Sequence, residues 1–449
     1  MHIHILGICG TLMGSIALLA KAQGHKITGS DDGVYPPMSD QLRSEGIALQ
    51  SPYSGDSIPD VADLVVLGNA GLGRGNPAVE ALLSNGTEFC SGAEFLGRFI
   101  LKDKWVIAVS GTHGKTTTTS MTAHILRHTG YGCNAFLGGI ATNYGTNFWS
   151  HEKNVVVVEA DEYDRSFLKL APNIAVITAV DPDHLDIYGT AEEVVKAFGE
   201  FSDKIKPGGV LIQKWGTAFN TNTSNKTVLS YGYNHDKASY HTSNLKVVEG
   251  SYHFDLVHPA GICKDIILNM GGLHNVENVS AAIAIALSLE IEEVKIKEAV
   301  ASFAGVKRRF EYKVKTANKV LIDDYAHHPE ELNALISGVR SLYPNEKMVL
   351  IFQPHLYSRT KDQCDGFVET LDKADEVILL PIYPARELPM EGVSSEMLLA
   401  KMKLSHKKIM SKDELFDWAA NSQDKLIVMA GAGDIDTCIL KVQEILTNK

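Results

Sequence analysis

Short, uninterrupted apolar runs alternate along the chain with longer stretches in which apolar positions recur every three to four residues. That alternation predicts β–α units whose runs are strands buried on both faces. The first run, His4-Ile5-Leu6, leads into the glycine-spaced Gly7-Ile8-Cys9-Gly10-Thr11-Leu12-Met13-Gly14 and an apolar helix through Ala20. Lys26-Ile27-Thr28-Gly29 and Asp63 to Leu67 read as further strands. Trp105 to Val109 is a strand that passes through a Gly/Thr-rich turn into a helix beginning near Thr116. Val155 to Val158 and Ile174 to Val180 are buried strands that end in acidic clusters. Between residues 210 and 270 the pattern becomes alternating and polar, as in Ser251 to Leu256, which predicts a small antiparallel sheet. The apolar helix Ala281–Leu289 follows. Val320 to Ile322, Met348 to Phe352, Glu376 to Leu380 and Lys425 to Met429 then each end in a polar, Gly- or Pro-rich loop. Those four describe a doubly wound sheet with its ligand-binding edge intact.

A chain of 449 residues is too long for one core, and the pattern divides it into 1–103, 104–305 and 306–449. With 45% hydrophobic and 21% charged residues it reads as an ordinary soluble protein. A net charge of −12 offers no broad basic surface, so no nucleic-acid partner is expected. The six cysteines are scattered without a CxxC pair, which gives no zinc framework and suits a reducing cytoplasm. The N-terminus reads as a strand, and no run is long enough to span a membrane. A cytoplasmic protein without a membrane partner is the expectation.

The candidate chemistry begins at Gly111-Thr112-His113-Gly114-Lys115-Thr116-Thr117. Glycines in a strand-to-helix turn let backbone N–H groups converge on a helix N-terminus, where the helix dipole favours phosphate. Lys115 adds a mobile positive charge for the outer phosphates, and the Thr116 hydroxyl is placed to ligate Mg²⁺. Glu159, taken as the first residue beyond its strand, is the favoured carboxylate ligand. Asp161, Asp164 and Asp186 are as readily solvated loop residues. Nearer the N-terminus, Gly7 and Gly10 open a loop that suits a nucleotide diphosphate better than NAD, because Cys9 and Leu12 replace two fingerprint glycines. Asp31 stands where a ribose-binding acid lies, and Asn69 follows another strand end. Asn275 and Asn278, three apart, either face the edge of a base together or cap their helix. Lys307-Arg308-Arg309-Phe310 forms a cationic corner. His327, His355 and Arg359 share a placement just after buried strands, which makes a site there likelier than chance.

In order along the chain stand Gly-Thr-His-Gly-Lys-Thr-Thr, Glu-Ala-Asp-Glu, Asp-His-Leu-Asp, His-Asn-Val-Glu-Asn, Arg-Arg-Phe and Asp-Asp-Tyr-Ala-His-His-Pro. With this set the chain resembles the Mur ligases, ATP-dependent amide-forming enzymes of peptidoglycan synthesis. The resemblance implies three α/β domains: a Rossmann-like UDP-binding domain, a P-loop ATPase-like central domain, and a C-terminal doubly wound domain for the incoming amino acid. It implies Lys115, with Gly111, Thr112, Gly114 and Thr117, on the phosphates of ATP. Thr116 and Glu159 would hold one Mg²⁺, with His184 on a second metal shared with Glu159. Asn275 and Asn278 match adenine contacts, and Arg309 and Asp324 match residues that bind nucleotide from the C-terminal side. Gly7, Gly10, Asp31 and Asn69 fall to UDP-N-acetylmuramate, and Tyr325, His327, His355 and Arg359 to the product end. Residues 1 to about 105 are most similar to the family's peptide-recycling branch, the rest to its alanine-adding branch. Phe-Gln-Pro-His-Leu-Tyr-Ser-Arg-Thr and Ile-Tyr-Pro-Ala-Arg-Glu carry the latter. L-Alanine is therefore expected as the amine, with the tripeptide L-alanyl-γ-D-glutamyl-meso-diaminopimelate as the alternative.

Overall fold

The computed structural model describes residues 1–34, 38–68, 72–385 and 387–447, with Thr11 and Asp186 by backbone alone. Asn69 lies outside the described residues, as does the side chain of Asp186. Among the described residues the strands form three sheets. The first comprises β1 (His2–Leu6), β2 (Lys26–Ser30), β3 (Ala48–Gln50), β4 (Leu64–Leu67) and β5 (Phe89–Ser91), in the order β3-β2-β1-β4-β5. Every pairing in it is parallel. The order reverses at β1, so β1 and the loop after it lie at the switch point where α/β sheets receive ligands.

The second sheet contains β6 (Trp105–Ser110), β7 (Asn134–Ala141), β8 (Thr146–Trp149), β9 (Val155–Glu159) and β10 (Ile174–Ile177). It continues through β11 (Gly209–Lys214), β12 (Lys226–Gly232), β13 (Tyr240–Val248), β14 (Ser251–His258) and β15 (Gly261–Leu268). Its order is β15-β14-β13-β12-β11-β10-β6-β9-β7-β8. The expected separate antiparallel sheet over 210–270 is therefore corrected: β11 pairs parallel with β10, and β12 parallel with β11. The helix Ala191–Asp203 carries the chain from β10 to β11, and a crossover of that length returns the next strand in the same direction. Residue pattern alone did not reveal that partner.

The third sheet is β16 (Glu311–Lys315), β17 (Val320–Asp324), β18 (Met348–Phe352), β19 (Glu376–Leu379), β20 (Lys407–Ile409) and β21 (Leu426–Ala430). Its order is β16-β17-β21-β18-β19-β20, with only β16 antiparallel to its neighbour.

The chain packs as two compact units, the first Met1–Ser243 with Asp255–Lys264 and Glu277–Val300, the second Asn244–Phe254 with Asp265–Val276 and Ala301–Lys449. In the first, Ile3, Val66, Ala108, Val158 and Ile177 belong to one continuous apolar core, each wholly buried. The Val/Ile runs produce it because strands covered on both faces need apolar side chains on both. In the second, Leu321, Ile351, Ile378 and Ile427 pack with Cys438 and Val442 of the helix Asp436–Thr447. No helix among the described residues is long and apolar enough to cross a membrane.

Candidate functional site

Register fixes the phosphate loop. Val109 of β6 pairs with Glu159 of β9, and Ser110 pairs with Ile177 of β10. Gly111 to Gly114 therefore emerge between two neighbouring strand ends and deliver the chain into the helix Lys115–His128. Gly111 has φ +136°, and a Cβ there would lie 2.1 Å from Thr178 Oγ1 and 2.8 Å from the Ala179 nitrogen. Gly114 has φ +81°, and a Cβ would lie 2.5 Å from Asn278 Oδ1. Both positions need glycine for conformation and for space. The Thr112 hydroxyl bonds Asp181 Oδ2 at 3.2 Å, and its N–H donates to the Ala179 carbonyl at 3.1 Å. Thr117 is buried just inside the helix.

Thr116 Oγ1 donates to Glu159 Oε1 at 3.1 Å, and the Gly138 N–H donates to Glu159 Oε2 at 2.9 Å. Glu159 is the last residue of β9 rather than the first beyond it. Hydroxyl and carboxylate oxygens side by side at a strand end suit a hard divalent cation. His184, with φ +52° at the start of the short helix Leu185–Tyr188, points Nε2 to within 3.8 Å of Glu162 Oε1 and 3.7 Å of Asp183 Oδ2. Glu162, Asp183 and His184 can each bring one ligand atom within 4.8 Å of the others. The structure thus brings His184 to Glu162 and Asp183, whose parts in the site the sequence reading did not assign. Both lie inside quoted motifs, the fourth place of Glu-Ala-Asp-Glu and the residue before His-Leu-Asp, so a signal was available. Asp161 and Asp164 face solvent more openly, although Asp161 Oδ1 reaches 3.5 Å from Lys115.

Lys115 is not the mobile, exposed lysine its motif suggests. Its side chain is 15% exposed and donates to both oxygens of Glu162, at 2.6 and 2.8 Å, where Glu162 is 1% exposed. Burial works against the Lys115 charge, but the Glu162 carboxylate and then Asp161 outweigh it and hold the ammonium above lysine's ordinary range. Burial pushes Glu162 up while Lys115 opposes it.

At the first sheet, Gly7 has φ +78° and its N–H donates to the Ser30 carbonyl at 2.8 Å, and the Gly10 N–H donates back to the Gly7 carbonyl. Asp31 accepts from the Cys9 N–H at 2.8 Å through Oδ2 and from the Gly33 N–H at 3.0 Å through Oδ1. The carboxylate expected to face a ribose is therefore pinning the glycine loop. Asn275 Nδ2 donates to the Gly271 carbonyl at 2.7 Å, while Asn278 lies buried against Gly114.

In the second unit the strand ends gather the remaining candidates. Asp324 accepts from the Phe310 N–H at 2.7 Å and from the Ala326 N–H at 2.8 Å. Burial pushes its carboxyl up to about 6 against those two donors. Arg309 is exposed, whereas Arg308 lies 5.0 Å over the Tyr325 ring and donates to the Gly431 carbonyl. His327 packs 5.2 Å from Tyr325 and 6.0 Å from His355, ring to ring. His355 stacks on Tyr383 at 5.7 Å, and its Nδ1 lies 3.3 Å from Arg359 Nη1. Burial, first of all, lowers both histidines, so both rings are neutral at pH 7. Tyr325, His327, His355 and Arg359 are thus one cluster at the carboxyl ends of β17 and β18, and Tyr383 is an addition the sequence reading did not make.

A glycine turn at a helix N-terminus, flanked by strand-end carboxylates, suits a metal–nucleotide, and the strand ends of the third sheet carry their own cationic and aromatic cluster. The family comparison agrees in every part: residues 2–104 match the Mur ligase family catalytic domain, 109–286 the Mur ligase middle domain, and 308–433 the Mur ligase glutamate ligase domain. The chain belongs to the Mur ligase family. It is 40% identical to the UDP-N-acetylmuramate–L-alanine ligase of Christiangramia forsetii, over 100% of this chain and 98% of the relative. The crystal structure of the UDP-N-acetylmuramate–alanine ligase MurC from Thermotoga maritima superimposes with a TM-score of 0.83 at 28% identity, covering 100% and 99% of the two chains. A murein peptide ligase from Psychrobacter arcticus superimposes less well, with a TM-score of 0.68 at 26% identity and the same coverage.

Proposed function

We infer that the protein is an ATP-dependent ligase that joins L-alanine to the lactyl carboxylate of UDP-N-acetylmuramate, releasing ADP and phosphate. The observation that carries this reading is the full-length likeness to alanine-adding ligases, at 40% identity to one and a TM-score of 0.83 to the structure of another. The recycling ligase, which takes the tripeptide, is the weaker match in fold. The flavour of the N-terminal glycine loop does not bear on the amine, because both activities start from the same sugar nucleotide.

The lactyl carboxylate attacks the γ-phosphate of ATP to give an acyl phosphate, and the alanine amine then displaces phosphate through a tetrahedral intermediate. Both steps bring anions together, so charge must be offset in the transition state. Gly111, Thr112, Gly114 and Thr117 would line the phosphates with N–H and hydroxyl donors, and Lys115 would supply a positive charge. Thr116 and Glu159 would hold one Mg²⁺ and His184, with Glu159, a second; bound metal would neutralise charge on the phosphates. Asn275 and Asn278 are proposed for the adenine, and Arg309 and Asp324 for the nucleotide from the C-terminal side. Gly7, Gly10, Asp31 and Asn69 are proposed for the UDP moiety. Tyr325, His327, His355 and Arg359 are proposed for the alanyl end, where neutral histidines leave Arg359 as the cation for a carboxylate. An acyl phosphate must be kept from water, so exclusion of solvent at the reacting carboxylate would be part of the activity. Cytoplasmic supplies of ATP and UDP-sugar fit this location for the activity.

The test measures phosphate release with ATP, Mg²⁺ and UDP-N-acetylmuramate, adding L-alanine or the tripeptide separately. Release with alanine is expected. Release with tripeptide alone would reverse the assignment of the amine.

A further inference from the structure

Lys115 is held by a carboxylate that the phosphate-loop motif does not include. Glu162 is 1% exposed and receives two hydrogen bonds from the Lys115 ammonium. Its own main-chain carbonyl accepts from the Tyr188 hydroxyl at 2.6 Å, which fixes the turn that aims it. Asp161 Oδ1 stands 3.5 Å from the same ammonium, and Glu159 adds to the negative field. A buried carboxylate stripped of its cation is costly, because neither water nor another positive group replaces what it loses. Lys115 therefore cannot simply swing toward a phosphate and leave Glu162 alone. Metal-free nucleotide would also bring several negative charges beside Glu159, Asp161, Glu162, Asp181 and Asp183. Beside the same carboxylate, Asp183 and His184 bring ligand atoms within 4.8 Å, and His184 Nε2 lies 3.8 Å from Oε1, an oxygen that Lys115 also holds. Those are donors for a cation, and a cation there would leave Glu162 compensated when Lys115 departs.

We propose that Glu162 is a positioning residue which holds Lys115 in the nucleotide-free protein and releases it to the phosphates only when a divalent cation takes the lysine's place beside the carboxylate. This rests on the nucleotide reading of the phosphate loop. Its consequence is selection: the site takes the metal–nucleotide complex and resists the free nucleotide, and Glu162 is the group that enforces the difference. Lysine and metal compete for one carboxylate, so removing either partner should change what the other experiences.

Two binding measurements test this without relying on turnover. In the first, ADP binding is titrated calorimetrically to the wild type and to Glu162→Gln, once with Mg²⁺ and once with EDTA. The wild type should prefer the metal complex strongly. The glutamine variant, whose Lys115 is no longer ion-paired, should bind metal-free ADP about tenfold tighter than the wild type and metal-bound ADP no tighter. Equal weakening of both forms would mean that Glu162 merely supports the fold, and an unchanged ratio would also overturn the proposal. In the second, Mn²⁺ alone is titrated by electron paramagnetic resonance into the wild type and Lys115→Met without nucleotide. The methionine variant should bind Mn²⁺ about tenfold tighter, because the lysine no longer occupies Glu162. Mn²⁺ affinity no higher than that of the wild type would overturn the exchange. Failure of the wild type to bind ADP with Mg²⁺ would instead count against the nucleotide reading itself.

Discussion

Glu159 is held from two sides, by the Thr116 hydroxyl and the Gly138 N–H, so its carboxylate is fixed at the strand end before any ligand arrives. Glu159→Gln preserves that volume and one acceptor but removes the charge. Turnover should fall by at least about a hundredfold, the loss expected when a preorganised electrostatic group is deleted. A variant that merely needs slightly more Mg²⁺ would make Glu159 an outer residue. Asp323 gives a second residue-scale prediction, this one for stability. It is 1% exposed, with Arg308 Nε 3.7 Å away, and burial pushes its carboxyl up to about 7 against the pull of Arg308. In the unfolded chain it titrates near 3.9. Between about pH 4 and 7 the folded state therefore keeps a proton that the unfolded state has lost, and stability falls as pH rises, by roughly 4 kcal/mol in total. Denaturant unfolding of wild type and Asp323→Asn from pH 5 to 8 should show this fall in the wild type and its loss in the variant, whereas parallel curves would contradict it. Residue roles were only partly legible in sequence. The phosphate loop, Glu159 and the histidines stood out because their residue types sit at strand ends. The capture of Lys115 by Glu162, and of Asp31 by the Cys9 and Gly33 N–H groups, depends on chain folding across 47, 22 and 2 positions, and the two longer ones leave no local pattern.

At the scale of elements, the phosphate loop depends on two glycines that are constrained in different ways. At Gly111 an added Cβ meets backbone of Ala179 and Thr178, which cannot step aside cheaply. At Gly114 it meets the end of the Asn278 side chain, which can rotate. Both also require a backbone angle that alanine adopts at a cost of about 1–3 kcal/mol. Gly111→Ala should therefore lower the thermal midpoint more than Gly114→Ala, while Gly114→Ala should chiefly weaken nucleotide binding. Gly73, with open space around it, serves as the control and should change neither. Differential scanning with and without ADP reads both quantities, and equal effects at all three positions would refute the geometric distinction. Strands buried on both faces were readable as apolar runs, and their predicted ends fall within about three residues of those observed. Ala48–Gln50 was not readable, being three residues long with no fully buried position. The parallel pairing of β11 and β12 also escaped, because neither strand alternates in burial and a strand's own residues say nothing about the direction of its neighbour.

The molecule as a whole was legible as a Mur ligase because its motifs follow one another in the family's order from Gly111 to Pro329, through the second and third sheets. The three family domains match in the same order along the chain, over 2–104, 109–286 and 308–433. The amine was legible at the C-terminal strand ends, whose motifs made L-alanine the expectation and the tripeptide the alternative, and the full-length likeness to alanine-adding ligases agrees. Activation of the lactyl carboxylate as an acyl phosphate, and its capture by alanine, fix where one oxygen goes. UDP-N-acetylmuramate labelled with ¹⁸O in its lactyl carboxylate should be incubated with ATP, Mg²⁺, L-alanine and the enzyme, and the phosphate and sugar nucleotide analysed by mass spectrometry. The sugar nucleotide should carry one alanine, matched by an equal amount of phosphate carrying one ¹⁸O. Unlabelled phosphate, or phosphate released without an alanylated product, would contradict it.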